Sequence, residues 1–271
     1  SSRKATVCPS NPKPSNARNP NHEHHASFQG RVFLGKRDLE GLPIEVRSPG
    51  NVAELKLSLK TDVLEHYESQ TGQRSLDHRM VKQKSATVNL TIEEFTKENL
   101  ALALYGNHVT GSTGTVTAET IGGAAPVVGD RYFFAHPKVS ALVVTDSAGT
   151  PATLTAGTHY TADTDFGALQ FLDITGFTAP FKAAYSYGVA TEIGIFTQAL
   201  PERYLRLEGI NTAQGNAKVL VELYRVAFDP LKEISFISDE YNKFELEGSL
   251  LADTTKPYDA VLGQFGRIVQ L

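Results

Sequence analysis

The sequence has very few of the residues that form covalent cross-links or span membranes. Its 271 residues include one cysteine, one methionine and no tryptophan. The single cysteine, Cys8, excludes an internal disulfide framework. No apolar run approaches the roughly 18 residues that a membrane-spanning helix needs, and the first residues lack the apolar core of a signal peptide. We therefore expect a protein of a reducing cytosol, or one that needs no covalent cross-link.

The chain also lacks an excess of positive charge. It carries 30 acidic and 26 basic residues, which gives a formal net charge of −4. A protein that grips nucleic acid stably usually has a basic surface that neutralises phosphates. We therefore expect no stable nucleic-acid binding, and expect that any DNA passing nearby slides along the surface.

No motif of catalysis or cofactor binding occurs. The chain has no phosphate-binding loop, no G-x-S-x-G, no H-E-x-x-H and no C-x-x-C pair. Asp163, Asp165 and Asp173 can be read as cation ligands, but turn-forming aspartates explain them more simply. The sequence thus predicts no catalytic residue, no cofactor and no metal, and a protein that is not an enzyme.

Alternation of apolar and polar residues indicates a mainly β fold. Leu55, Leu57 and Leu59 alternate with Lys56, Ser58 and Lys60, which predicts a strand over 54–60 with one buried face. A second strand with the same pattern is predicted over 86–92. Further short strands are predicted at 31–35, 42–47, 132–135, 141–145, 158–162, 168–172, 181–187, 204–209, 217–228 and 244–251. Pro43 indicates that the strand at 42–47 is short or lies at a sheet edge.

Residues 61–84 are predicted to form a long charged loop between two strands. Acidic residues dominate its first half and basic residues its second. The two limbs can pair with each other or with the opposite limb of another subunit, and a solvated excursion without a partner is the alternative. Long connections of this kind in compact domains are usually functional.

One helix is predicted after the second strand. Thr91 and Glu94 have the spacing of a capping box, and Gly106 is a suitable terminator. A lone helix beside a sheet covers a face or an edge.

Composition divides the chain into three parts. Residues 1–27 are rich in Pro and Asn, with Pro9, Pro12, Pro14 and Pro20, and have too few apolar residues to fold alone. We expect them to form an extended arm that lies on a neighbouring subunit. Residues 28–109 and 191–271 are predicted to form the main β domain, and 110–190 an inserted β module on its outside.

Two runs carry a resemblance to a known family. They are GNVAELKLSLKTDVLEHYESQTGQR, from Gly50, and TIEEFTKENLALALYG, from Thr91. Both resemble tail tube proteins (major tail proteins) of long-tailed, siphovirus-type bacteriophages and prophages. The resemblance covers residues 50–106 and, more loosely, 200–271.

The resemblance implies a β-sandwich or barrel with one flanking helix, and a structural protein of the virion. Hexameric rings would stack by helical assembly into a tube that conducts DNA at ejection, built in the host cytoplasm with tape-measure, tail-tip and terminator proteins. It implies that the long loop contacts the next ring, through Asp62, Glu65, His66, Glu68, Arg74, Asp77, Arg79 and Lys82. Candidate lumen residues are Lys56, Ser58, Lys60, Thr87, Asn89, Glu245 and Glu247.

Three alternatives remain open from the sequence. One is another phage tail part on the same fold: a tail terminator, a baseplate hub or the inner tube of a contractile tail. A carbohydrate-binding module would use aromatic runs such as 132–134 and 185–187. An enzyme without a recognisable motif is the third.

Overall fold

The computed structural model describes residues 25–258 and 262–271. Sixteen strands and one α-helix are present in this part of the chain. The strands are β1 (Phe28–Arg37), β2 (Pro43–Arg47), β3 (Val52–Tyr67), β4 (Leu76–Ile92), β5 (His108–Thr110), β6 (Gly114–Ile121), β7 (Arg131–Phe133), β8 (Val139–Thr145), β9 (Tyr160–Asp163), β10 (Ala168–Phe171), β11 (Phe181–Tyr187), β12 (Thr191–Ile193), β13 (Glu202–Asn211), β14 (Ala217–Phe228), β15 (Phe244–Leu250) and β16 (Gly266–Gln270). The helix is α1 (Lys97–Ala103). The predicted mainly β fold with one helix is confirmed.

An eight-stranded antiparallel sheet forms the centre of the molecule. Its strand order is β2-β1-β13-β14-β15-β4-β3, and β16 pairs with β14. Strand β14 is the branch point, because its first half pairs with β16 and its last residues pair with β15. The edge position of β2 agrees with the prediction from Pro43. Strands β5, β6, β12 and β16 have no counterpart in the sequence prediction.

One hydrophobic core spans both halves of this sheet. Leu205 in β13 and Val226 in β14 belong to the same buried cluster as Leu90 in β4 and Leu246 in β15. Helix α1 adds Leu102 and Ala103 to it. The helix therefore covers apolar surface of the sheet, as expected for a lone helix beside strands.

The predicted capping box of the helix is wrong. Thr91 belongs to β4, where it lies opposite Glu245. The helix instead begins after Thr96, whose Oγ1 accepts a hydrogen bond from the Asn99 backbone N–H at 3.2 Å. Ile92 is buried, and it is paired with Phe244 on one side and with Val52 on the other. Strand β4 therefore continues through Ile92, and the helix starts later than predicted.

The predicted long loop at residues 61–84 is also wrong. Strands β3 and β4 stay paired from Val52↔Ile92 out to Tyr67↔Leu76, so this segment is a β-hairpin that we call the arm (Lys60–Ser85). All but one of the arm's residues in β3 and β4 are exposed. Alternation of apolar and polar residues is typical of a strand with one covered face. Its absence here is therefore consistent with a strand exposed on both faces.

Residues 110–190 contain a second hydrophobic cluster, separate from the central one. It includes Val144, Phe171 and Phe181 and draws all its buried members from residues 121–185. Two three-stranded sheets, β7-β10-β9 and β6-β11-β8, supply these residues. The chain enters and leaves this region through β5 and β12, which pair with each other so that Thr110 lies opposite Thr191.

The predicted N-terminal arm lies almost wholly outside the described residues, including Pro9, Pro12, Pro14 and Pro20. Its last part is attached to the main sheet. The Ser27 N–H donates to Asn211 Oδ1 at 3.0 Å, and the Thr212 N–H donates to Ser27 O at 2.8 Å.

Candidate functional site

The predicted lumen residues lie together on one face of the strands β15, β4 and β3. The register places Glu247 opposite Asn89, and Asn89 opposite Lys56. The next row contains Thr87 opposite Ser58. The apolar residues between them point to the other face, where Leu246 and Leu90 are buried and Leu55, next in the row, is partly buried. We call the first surface the polar face; it contains Lys56, Ser58, Lys60, Thr87, Asn89, Glu245 and Glu247.

Charges on the polar face are largely neutralised by local ion pairs. The Lys56 Nζ lies 2.7 Å from Glu54 Oε1, two residues away on the same strand. The Lys232 Nζ lies 2.5 Å from Glu247 Oε2, so the charges of these two side chains cancel. Within the described residues, Lys60 and Glu245 have no ion-pair partner. The face therefore has mixed charge instead of the acidic character that Glu245 and Glu247 alone would give.

A groove of about 690 Å³ runs along the polar face. Its far wall is the segment 230–243, which joins β14 to β15 and contributes Leu231, Lys232 and Glu233. This segment carries strongly exposed apolar side chains, Phe236, Ile237 (98% exposed) and Tyr241. Sequence reasoning missed them, although three large apolar residues in a segment without a strand pattern are a signal of an interaction surface.

The arm presents apolar side chains on both of its faces. On the continuation of the polar face, Leu64 lies directly opposite Met80. On the other face, Val63 lies opposite Val81, and Tyr67 opposite Leu76. Five of these six side chains are about half exposed, and Val63 is partly buried. A two-stranded hairpin is marginally stable on its own in water, so these pairs are surface that a partner can cover.

The charged limbs of the arm pair with each other inside the chain. His66 Nδ1 lies 2.6 Å from Asp77 Oδ1, and this hydrogen bond lowers the pKa of Asp77. Arg79 Nε lies 3.5 Å from Glu65 Oε1. Among the described residues, Asp62, Arg74 and Lys82 have no ion-pair partner. Lys60 and Lys84, at the base of the arm, have none either. The sorted charges thus close the hairpin only in part, and these five charges remain for contacts outside it.

The turn of the arm is organised around Glu68. Its carboxylate accepts hydrogen bonds from the Thr71 hydroxyl, from the Thr71 N–H at 3.0 Å and from the Gln70 N–H at 2.8 Å. These bonds, that of the Thr71 hydroxyl first, lower the pKa of Glu68 to about 2. Glu68 therefore fixes the shape of the turn, in addition to any contact it makes with another subunit.

Acid is expected to loosen the turn of the arm only at very low pH. The folded pKa of Glu68, about 2, is below the ordinary value of 4.5. The stabilisation by the carboxylate is hence complete above pH 4.5 and is lost as the pH falls through about 2. We expect a carbon-13 NMR titration of the Glu68 carboxyl to give a midpoint near 2.

The matched variant for this titration is Thr71→Val, which removes the hydroxyl donor and keeps the backbone donors. Its Glu68 midpoint should move up toward 4.5. A midpoint close to 4.5 in the unchanged protein would show that the hydrogen-bonded turn does not form.

The long strand β3 has a free edge. It is the last strand of the central sheet, and within the described residues nothing pairs with its outer side. At the other end of the sheet, the five-residue β2 is likewise unpaired on its outer side. Unpaired backbone N–H and C=O groups along an edge are a template for pairing with another chain.

In the part of the chain that the structure describes, no group of three or more His, Cys, Asp or Glu lies close enough together to hold a metal ion. None of the helices in that part of the chain has the length and apolar character needed to cross a membrane.

Fold and surfaces together define a mainly β protein with one helix, whose prominent features are a polar sheet face, free edges and an exposed hairpin arm. Residues 25–269 match the model of the family described as "Protein of unknown function UCP028589", and the chain belongs to this family. No curated protein matches the chain.

Proposed function

We propose that this chain is a structural subunit that assembles with copies of itself into stacked hexameric rings, as the tail tube protein of a long-tailed bacteriophage. In this role it builds the conduit for DNA in the virion. The arm is the observation that carries the proposal. It extends β3 and β4 beyond the central core, and it exposes apolar pairs on both faces.

The arm contributes little to the stability of an isolated molecule. Its cross-strand pairs bury almost nothing, and exposed edge strands risk uncontrolled association unless a partner covers them. Contact with the next ring would cover Leu64 and Met80, and would give partners to Asp62, Arg74 and Lys82. Closed or stacked self-association removes free edges from the sheet.

The polar face supports a channel lining. Hydroxyl, amide and charged side chains line it, and two ion pairs balance much of its charge. A surface without excess positive charge does not hold phosphates. DNA could then pass along Lys56, Ser58, Lys60, Thr87, Asn89, Glu245 and Glu247 without stable binding, while 110–190 stays on the outside of the tube.

Negative-stain electron microscopy of the purified protein at high concentration tests the proposal. We expect rings that stack into hollow tubes. Single rings that never stack would favour a terminator or hub on the same fold. A protein that stays monomeric at every concentration, with its arm ordered, would refute the proposal.

A further inference from the structure

A second cleft lies between helix α1 and the sheet edge formed by β1, β2 and β13. Its volume is about 590 Å³. Arg47 on β2 and Arg203 on β13 line it, together with Lys36 on β1. Leu102 and Tyr105 form the wall on the helix side. Glu45, Glu98 and Glu202 also line the cleft, so its polar side carries charges of both signs beside the apolar wall.

The two arginines lie near each other and are both partly buried. Burial lowers the pKa of Arg203, and the positive charge of Arg47 lowers it further, although the charge of Glu45 opposes this. Burial likewise lowers the pKa of Arg47, although the charge of Glu98 opposes this. Two like charges in a partly desolvated place repel each other more strongly than in water. A group that neutralises them would therefore be stabilised there.

Every acidic side chain that lines the cleft already has a basic partner. Glu45 lies 2.6 Å from Lys36, and Glu98 lies 3.9 Å from Lys97. Glu202 accepts two hydrogen bonds from Arg225, at 2.6 and 2.8 Å. The carboxylates of the cleft are thus engaged, and within the described residues neither arginine has a carboxylate within ion-pair distance.

Each guanidinium is held in place by one neutral acceptor. Arg47 Nη1 donates to Asn99 Oδ1 at 2.6 Å, and Asn99 is fully buried and donates in turn to Pro49 O at 2.7 Å. Arg203 Nη1 donates to its neighbour Glu202 O at 2.9 Å. A guanidinium has five N–H donors in a planar fork. Most donors of both side chains are therefore left for a ligand.

We propose that this cleft binds an oxyanion, a phosphate or carboxylate group, between Arg47 and Arg203. Paired guanidinium forks match the several oxygens of such groups and recognise them better than a point charge does. The group can belong to a free anion in solution or to a carboxylate side chain of a second copy of this chain. The site itself rests on the cleft alone; only the second source rests on the proposed self-assembly.

Isothermal titration calorimetry with inorganic phosphate, at constant ionic strength and on dilute protein, tests the site. We expect binding in the millimolar range or tighter, and affinity at least tenfold weaker in Arg47→Met and Arg203→Met. Arg31→Met is the matched control, because Arg31 is exposed, has no ion-pair partner among the described residues and lies outside the cleft. Its affinity should equal that of the unchanged protein.

A folding defect would not imitate this result. For Arg203→Met, methionine keeps an apolar stem of similar length and removes one of two repelling charges, so the melting temperature in chloride buffer should be unchanged or higher. Arg47→Met also removes the donor to the buried Asn99 Oδ1 and should melt at a lower temperature. Arg203→Met is therefore the variant that separates binding from folding. Arg203→Lys keeps the charge without the fork, and its affinity should be intermediate. No binding to the unchanged protein, or equal binding to all variants, would overturn the proposal.

Sedimentation velocity at high protein concentration distinguishes the two sources. If phosphate and the Arg203→Met substitution both reduce association, the natural anion is a carboxylate of a second copy. If phosphate binds and association is unaffected, the anion is a free one. Absence of any assembly refutes the ring proposal and leaves the calorimetric test of the cleft intact.

Discussion

Replacing Asp253 by alanine is expected to lower the free energy of unfolding by about 3–5 kcal/mol. The Asp253 side chain is only 1% exposed, and its Oδ1 lies 2.7 Å from Arg37 Nη2. Burial alone would raise the pKa of Asp253, but hydrogen bonds from Thr255 and Arg37 lower it overall. The substitution leaves the Arg37 guanidinium, 10% exposed, with only Glu202 at 3.6 Å to compensate its charge. Urea unfolding followed by circular dichroism measures the loss.

Two variants separate the buried charge from general effects of losing an aspartate. Asp239→Ala removes an exposed carboxylate that has no ion-pair partner among the described residues, and should change the free energy of unfolding by less than about 0.5 kcal/mol. Arg37→Met combined with Asp253→Leu removes both charges and should recover much of the loss. A loss below about 1 kcal/mol for Asp253→Ala would mean that Arg37 finds other compensation.

Shortening the arm is expected to abolish assembly and to leave the folded subunit almost unchanged. Residues 62–83 can be replaced by Asn-Gly, because Thr61 and Lys84 lie opposite each other and Asn-Gly forms two-residue hairpin turns. The deleted residues are almost all exposed, so the subunit should lose less than about 1 kcal/mol of stability. Sedimentation velocity and electron microscopy should then show only unassembled protein.

A smaller change tests whether the apolar pairs of the arm make the contact. Leu64→Ser with Met80→Ser removes one cross-strand pair from the face that continues the polar face. We expect the protein concentration needed for assembly to rise at least tenfold. Leu64 and Met80 are half exposed in the subunit, and their serine replacements no longer bury apolar surface against the next ring. Phe166→Ser is the control, because it removes an exposed apolar side chain from residues 110–190, away from the arm. Tubes of normal length from the shortened chain would exclude the arm from the interface.

Sequence patterning predicted the elements that bury one face. Leu55, Leu57 and Leu59 alternate with polar residues, and the structure places the corresponding polar residues of β3, β4 and β15 on one surface. The expected buried face is wrong for β3, where Leu55 is partly buried but Leu57 and Leu59 are 40% and 77% exposed. It is present in β4 and β15, where the core imposes the alternation. Strand β14 was predicted with its observed bounds for the same reason, since long runs of Val and Leu favour sheet.

Features without that constraint were not predictable. The arm has exposed residues on both faces, and a register shift between Asp62 and Val63 further breaks its period. Two threonines, Thr91 and Thr96, compete as helix caps, and only the tertiary pairing of Ile92 decides between them. Arg47 and Arg203 are far apart in sequence and come together only because β1 lies between β2 and β13.

Because β5 pairs with β12, the region between them can be replaced without moving its two attachment points. Its two ends lie side by side, with the Gly111 N–H bonded to Ala190 O at 2.9 Å just beyond Thr110 and Thr191. Whatever the chain builds between those two points, the distance to be bridged stays that of one hydrogen-bonded pair. A change in the length of this region can therefore leave the register of the central sheet unaltered, and we expect insertions between Gly111 and Ala190 to be tolerated.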